Sequence, residues 1–126
     1  MKLDLKELIA KLTNTPMVIE QGTSGIWTYR KWDSGIAECW GSYSSSVAIT
    51  TAFGSWYYKT IGNISFPSGL FSSAPIVNAT KNGDANGLSF IQIYSVSNAG
   101  FTPEVANPIS QTYPLTIVFH AIGKWK

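Results

Sequence analysis

From Pro16 onward, turn-forming clusters break the chain at short intervals: Gly22-Thr23-Ser24-Gly25, Asp33-Ser34-Gly35, Pro67-Ser68-Gly69, the stretch 82–87, and Asn98-Ala99-Gly100. Such residues favour turns because they supply positive φ, a fixed φ or local side-chain hydrogen bonds. The runs between them, at 26–32, 36–43, 47–53, 64–66, 76–80, 88–96, 101–106 and 115–122, are short and rich in β-branched and aromatic residues. Runs of this kind read as strands, and the Asp33-Ser34-Gly35 junction reads as a tight hairpin. No helical pattern alternates with them, which argues against a parallel α/β sheet. Residues 16–126 are therefore expected to form one all-β domain, an antiparallel sandwich or barrel.

The N-terminal segment, residues 1–15, follows a different rule. Leu5, Leu8, Ile9 and Leu12 recur at helical spacing, with Asp4 and Glu7 early and Lys11 late. This predicts a short α-helix over 2–12 whose charges suit the helix dipole. Thr15-Pro16 ends it, because the residue before proline avoids helical geometry. A helix this short is marginal alone in water. Its leucine face can pack on its own domain or join identical chains as the end of a coiled-coil stem, and fewer than two heptads leave both open.

Composition removes several function classes. Nine basic and seven acidic residues give a net charge of +2, without the basic surface that nucleic-acid binding needs. No apolar run approaches a membrane span, so no membrane insertion is expected. No secretory leader pattern is visible, which points to synthesis in a cytoplasm and no Sec-type export. One cysteine excludes an internal disulfide. One cysteine and one histidine leave no zinc site, and no metal or cofactor is expected.

Few residues carry a signature of catalysis. Cys39 and His120 both fall mid-strand, where a buried, inert cysteine is the ordinary outcome. The stretch 82–87 resembles the start of a calcium loop, yet its twelfth position is Ile93 where a bidentate glutamate is required. It reads as a hairpin loop. The carboxylates Glu20, Asp33, Glu38, Asp84 and Glu104 show no paired signature for glycoside hydrolysis. Glu38 is expected to pair across the hairpin with Arg30 or Lys31. Asn63-Ile64-Ser65 and Asn78-Ala79-Thr80 match the glycosylation acceptor pattern by chance in so Ser- and Asn-rich a chain. The chain is not expected to be an enzyme.

The aromatics are more informative. They make up 13% of the residues, as much as all charged residues together. Three large rings in a row, Trp56, Tyr57 and Tyr58, cannot all face inward on a strand. Exposed rings stack on sugar faces while neighbouring amides and hydroxyls read the hydroxyl groups. The candidate ligand contacts are therefore Trp56, Tyr57 and Tyr58, the loop residues Asp84 and Asn86, and Gln111 with Tyr113 in a polar loop expected over 107–114. Such rings equally suit a subunit interface.

The run Gly25-Ile26-Trp27-Thr28-Tyr29-Arg30-Lys31-Trp32-Asp33-Ser34-Gly35-Ile36-Ala37-Glu38-Cys39-Trp40-Gly41 resembles the opening hairpin of C-terminal domains in bacteriophage and prophage tail-fibre proteins. Phe66-Pro67-Ser68-Gly69-Leu70-Phe71-Ser72-Ser73-Ala74-Pro75 resembles their middle motif, and Ala121-Ile122-Gly123-Lys124-Trp125-Lys126 their closing line. The layout, with Gly100-Phe101 starting a strand, is also similar to H-type lectins, which implies an antiparallel β-sandwich of about six main strands. The resemblance implies a homotrimeric fibre tip on a virion that binds a bacterial cell-surface glycan or protein receptor. It also implies release by lysis after synthesis in the bacterial cytoplasm. Two other roles are compatible with the residues: a trimerisation cap without receptor contact, and a small polysaccharide hydrolase.

Overall fold

Tyr113, Leu115, Ile117, Phe119 and Ala121 alternate with Pro114, Thr116, Val118 and His120, and a strand puts every second side chain on one face. The computed structural model, which describes Leu5, Leu8, residues 15–82 and residues 88–126, places all five on the buried face of one strand. Ten strands follow one another along the described residues. They are β1 (Val18–Ser24), β2 (Trp27–Trp32), β3 (Ile36–Ile49), β4 (Thr51–Phe53), β5 (Trp56–Thr60), β6 (Ile64–Ser65), β7 (Ile76–Lys81), β8 (Phe90–Val96), β9 (Gly100–Asn107) and β10 (Gln111–Lys124).

They form two antiparallel sheets. Sheet A has the order β1-β2-β3-β10-β7. In sheet B, β9 pairs with β8 along one edge and with β5 and then β6 along the other, while β4 lies outside β5. The Ile61 N–H donates to the Pro103 carbonyl at 3.0 Å, so β5 and β6 are two pieces of one line along β9.

The inward residues of both sheets make the core. Trp27, Phe66, Phe71, Phe101 and Phe119 form its aromatic centre. Phe101 and Phe119 meet edge to face with centroids 4.9 Å apart, and Phe66 stacks on Phe101 at 5.3 Å. Trp27 keeps its indole N–H satisfied by donating to the Ser65 carbonyl at 2.7 Å, which links the two sheets. Asn107, the one buried polar residue among the described residues, donates from Nδ2 to Ser89 Oγ at 3.0 Å and accepts the Ile109 N–H at 2.8 Å. A buried amide is tolerable only with such partners. Gly41 lies on β3 opposite Trp27, and a Cβ there would collide with the Ile26 carbonyl oxygen.

Several expectations change. The described residues form ten strands rather than about six. The run Gly22-Thr23-Ser24 is strand, and only Gly25-Ile26 make the turn, with Gly25 at φ 58°. The expected strands 36–43 and 47–53 are redistributed. Ser44-Ser45-Ser46 continues as strand because β10 pairs with β3 from Ile36↔Lys124 to Ile49↔Gln111, and the break comes instead at Thr50. Serine favours turns by local propensity, and a full-length partner strand overrides it. The same pairing draws residues 111–114 of the loop expected over 107–114 into the start of β10. The helix expected over 2–12 lies outside the described residues, apart from Leu5 and Leu8, which are both exposed. The hairpin at Asp33-Ser34-Gly35 forms as read, with Gly35 at φ 96° donating its N–H to Trp32 at 3.1 Å.

Candidate functional site

The outer face of sheet B is built by alternation. On β5, Trp56, Tyr58 and Thr60 share one side, and Tyr57 and Lys59 the other. Register then assembles two cross-strand rows. Tyr58 and Phe90 are both Cα partners of Ala106, and Thr60 and Gln92 are both Cα partners of Glu104. The small Ala106 side chain lets Trp56 and Phe90 meet above β9, with ring centroids 5.5 Å apart. Phe53, at the sheet edge, meets Tyr58 edge-on at 6.2 Å. Phe53, Trp56 and Tyr58 line a shallow depression of about 350 Å³ with Gln92, Glu104 and Ala106, and Phe90 stands beside it against Trp56.

Glu104 stands at one side of this depression and is held in place. Thr60 Oγ1 donates to its Oε2 at 2.6 Å, and Gln92 Nε2 donates to its Oε1 at 2.8 Å. Charge-assisted hydrogen bonds to both oxygens fix the carboxylate plane. The rings around it are open to solvent: Phe53 is 76% and Phe90 55% exposed. Clustered exposed aromatics on a folded surface mark an interaction site more often than scattered ones do. The arrangement has what a small polar ligand needs, namely ring faces to stack on and a rigid acceptor with lone pairs to spare.

The candidate residues separate. Trp56 and Tyr58 frame the depression, and Tyr57 lines its edge with its ring half-buried against the core side. Tyr113 is a correction: it is 6% exposed on β10, its hydroxyl hydrogen-bonded to Ser89 Oγ. Gln111, half-buried, shares Tyr113's side of β10 in sheet A. Neither joins the outer face of sheet B, because the segment is strand and not loop. Asp84 and Asn86 lie outside the described residues. Sequence reasoning missed Phe53, Phe90, Gln92 and Glu104. The signal was present in the alternating Phe90-Ile91-Gln92-Ile93-Tyr94 and Thr102-Pro103-Glu104-Val105-Ala106, whose outward positions become one face once registered.

The other chemistry considered resolves into structure. Cys39 points into the core and His120 outward, since Cys39 is partnered with Ala121 and His120 with Trp40. Burial, followed by the nearby Glu38 charge, pushes the Cys39 thiol up to about 12. A thiol held neutral in this way is a poor nucleophile. Glu38 faces Arg30 across the hairpin as expected, but its carboxylate contacts His120 Nε2 at 2.9 Å. Arg30 instead lies over the Trp40 ring at 5.1 Å, and Lys31 pairs with Glu20 at 3.9 Å. Among the described residues, no cluster of three or more His, Cys, Asp or Glu side chains could hold a metal ion.

No family model and no curated protein matches this chain. Solved structures do. An N-truncated R1-type pyocin tail fibre superposes with a TM-score of 0.63 at 14% identity, over 98% of this chain and 99% of that one. A fragment of the Pseudomonas aeruginosa R1 pyocin fibre comprising its C-terminal residues 323–701 superposes with a TM-score of 0.64, also at 14% identity. That match covers 97% of this chain and 32% of the fragment. Identity this low carries the fold and not the residues of a site. The chain has the two-sheet β fold found in the C-terminal region of the R1 pyocin tail fibre.

Proposed function

We propose that this chain is the receptor-binding tip domain of a tail fibre, on a bacteriophage or a phage-derived particle, and that it attaches the particle to a glycan on a bacterial surface. The observation that carries the reading is the match of fold over nearly the whole of an N-truncated pyocin tail fibre. The outer face of sheet B supplies the contact: Trp56, Tyr58, Phe53 and Phe90 stack on sugar rings, and Glu104 and Gln92 accept and donate to hydroxyl groups. Three copies around a fibre axis would turn weak single sites into useful avidity, provided the receptor spacing lets them engage together. Binding without catalysis is the simpler reading of the lining, where Glu104 is the one carboxylate among the described residues and glycoside hydrolysis ordinarily uses two.

The test is binding of labelled protein to susceptible cells, with Trp56→Ala/Tyr58→Ala beside the parent and light scattering on both. Loss of binding with the oligomer retained supports the tip and its face. Retained binding moves the site elsewhere on the domain. Normal assembly with no binding to any susceptible host makes the domain a structural cap, and a stable monomer at micromolar concentration removes the trimer.

A further inference from the structure

The two groups that hold Glu104 are both neutral, a hydroxyl from Thr60 and an amide from Gln92. They orient the carboxylate and leave its charge uncompensated. Among the described residues, the contacts between basic and acidic side chains are Lys31 with Glu20 and His120 with Glu38, and neither reaches Glu104. Lys59, next in sequence to Thr60, alternates onto the opposite face of β5.

The rings show the same imbalance. Elsewhere in the fold, cations sit over aromatic faces: Arg30 over Trp40, Lys31 and Lys126 over Trp125, and Lys81 over Tyr113. Among the described residues, no cation sits over Phe53, Trp56, Tyr58 or Phe90. An aromatic face is the negative end of a ring quadrupole and attracts a positive group within about 6 Å. The depression therefore joins a fixed carboxylate to several ring faces, and all of them favour positive charge. A uronate or phosphate group would be repelled there. A neutral hydroxyl would use the lone pairs of Glu104 and leave its charge unanswered.

We infer that the depression on sheet B selects a saccharide bearing a free ammonium group, as on an unacetylated amino sugar. The inference rests on the reading of this face as the receptor site. The ammonium hydrogens bond the outward lone pairs of Glu104, and the sugar ring stacks between Trp56 and Tyr58.

The test compares two probes on the full chain by calorimetry, at a pH where the amine is protonated: the trisaccharide of glucosamine and its fully N-acetylated counterpart. The unacetylated trisaccharide is expected to bind about tenfold more tightly. Glu104→Gln is expected to erase that preference while leaving the weaker binding of the acetylated probe in place. Equal affinity of the parent for both probes, or a preference for the acetylated one, overturns the ammonium inference. The glycan-site reading survives that outcome if either probe displaces the protein from host cells. If neither probe binds and Ala106→Trp leaves host attachment unchanged, the face itself is wrong and both readings fall. Competition by a lysine amide as strong as that of the trisaccharide overturns the saccharide half. The parent comparison needs no variant, so a misfolded mutant cannot shield the inference.

Discussion

Two aromatic clusters stand on either side of sheet B. Between the sheets, Trp27, Phe66, Phe71, Phe101 and Phe119 meet with closest centroids 4.9 Å apart. On the outer face, Phe53 with Tyr58 and Trp56 with Phe90 meet at 6.2 and 5.5 Å. Tilted and edge-on contacts occur in both, and the inner cluster adds the stacked pair of Phe66 and Phe101. What differs is water: the first cluster is sealed from it, and the second keeps large apolar area exposed. Residue type therefore says little about whether a ring holds the fold or waits for a partner. Strand parity decides, since neighbours such as Tyr57 and Tyr58 fall on opposite sides of one sheet.

The sharpest way to break this contrast is to delete one ring from each cluster. Phe101→Ala is expected to lose roughly 3–5 kcal/mol in denaturant unfolding, through lost burial and the cavity left behind. Phe53→Ala should stay within about 0.5 kcal/mol of the parent. Equal losses would make the outer rings part of the fold and leave no free platform.

The inner side also predicts a pH effect. The Cys39 thiol is raised from 9.0 to about 12 in the folded state, so the unfolded chain releases its proton first. This contribution to stability is intact below pH 9 and declines from there to about pH 12, with a limiting slope of about 1.4 kcal/mol per pH unit. Cys39→Ala should flatten that part of the alkaline unfolding profile, and an unchanged profile would show the thiol to be hydrated.

Smaller effects sharpen the picture further. Gly41→Ala should cost roughly 1–3 kcal/mol, because the added methyl drives β3 against the Ile26 carbonyl next to Trp27. Ala106→Phe should fill the outer depression, lower ligand binding about tenfold, and leave the melting temperature almost unmoved. His120→Ala, which breaks a partly exposed pair with Glu38 on the outer face of sheet A, should shift stability by at most about 1 kcal/mol.

Much of the fold was legible from local pattern. The Asp33-Ser34-Gly35 hairpin, the alternation from Leu115 to Ala121 and the strand around Phe101 to Ala106 each follow from turn chemistry or period two. Ser44-Ser45-Ser46 and the segment 111–114 were not legible, because their strand state comes from pairing with residues far along the sequence, 114–116 for the serines and 46–49 for 111–114. The site was half legible for the same reason. Trp56 and Tyr58 announce themselves as neighbours in a ring-rich run, whereas Glu104, Gln92 and Phe90 become neighbours of theirs only through the register of β8 and β5 on β9. Tyr113 misled because a polar stretch around it suggested a loop where a partner strand was waiting.

The place of β10 between β3 and β7 governs how the molecule can come into being. Ser44 and Thr116, hydrogen-bonded across that seam, are 72 residues apart. On a ribosome, β3 would emerge with one edge open and wait for most of the domain to be synthesised before that edge could be covered. Distant pairings of this kind close large loops before they gain contacts, and chains dominated by them fold slowly. The hydroxyl-rich middle of β3, poor in the greasy residues that drive strand-to-strand aggregation, is well suited to that delay.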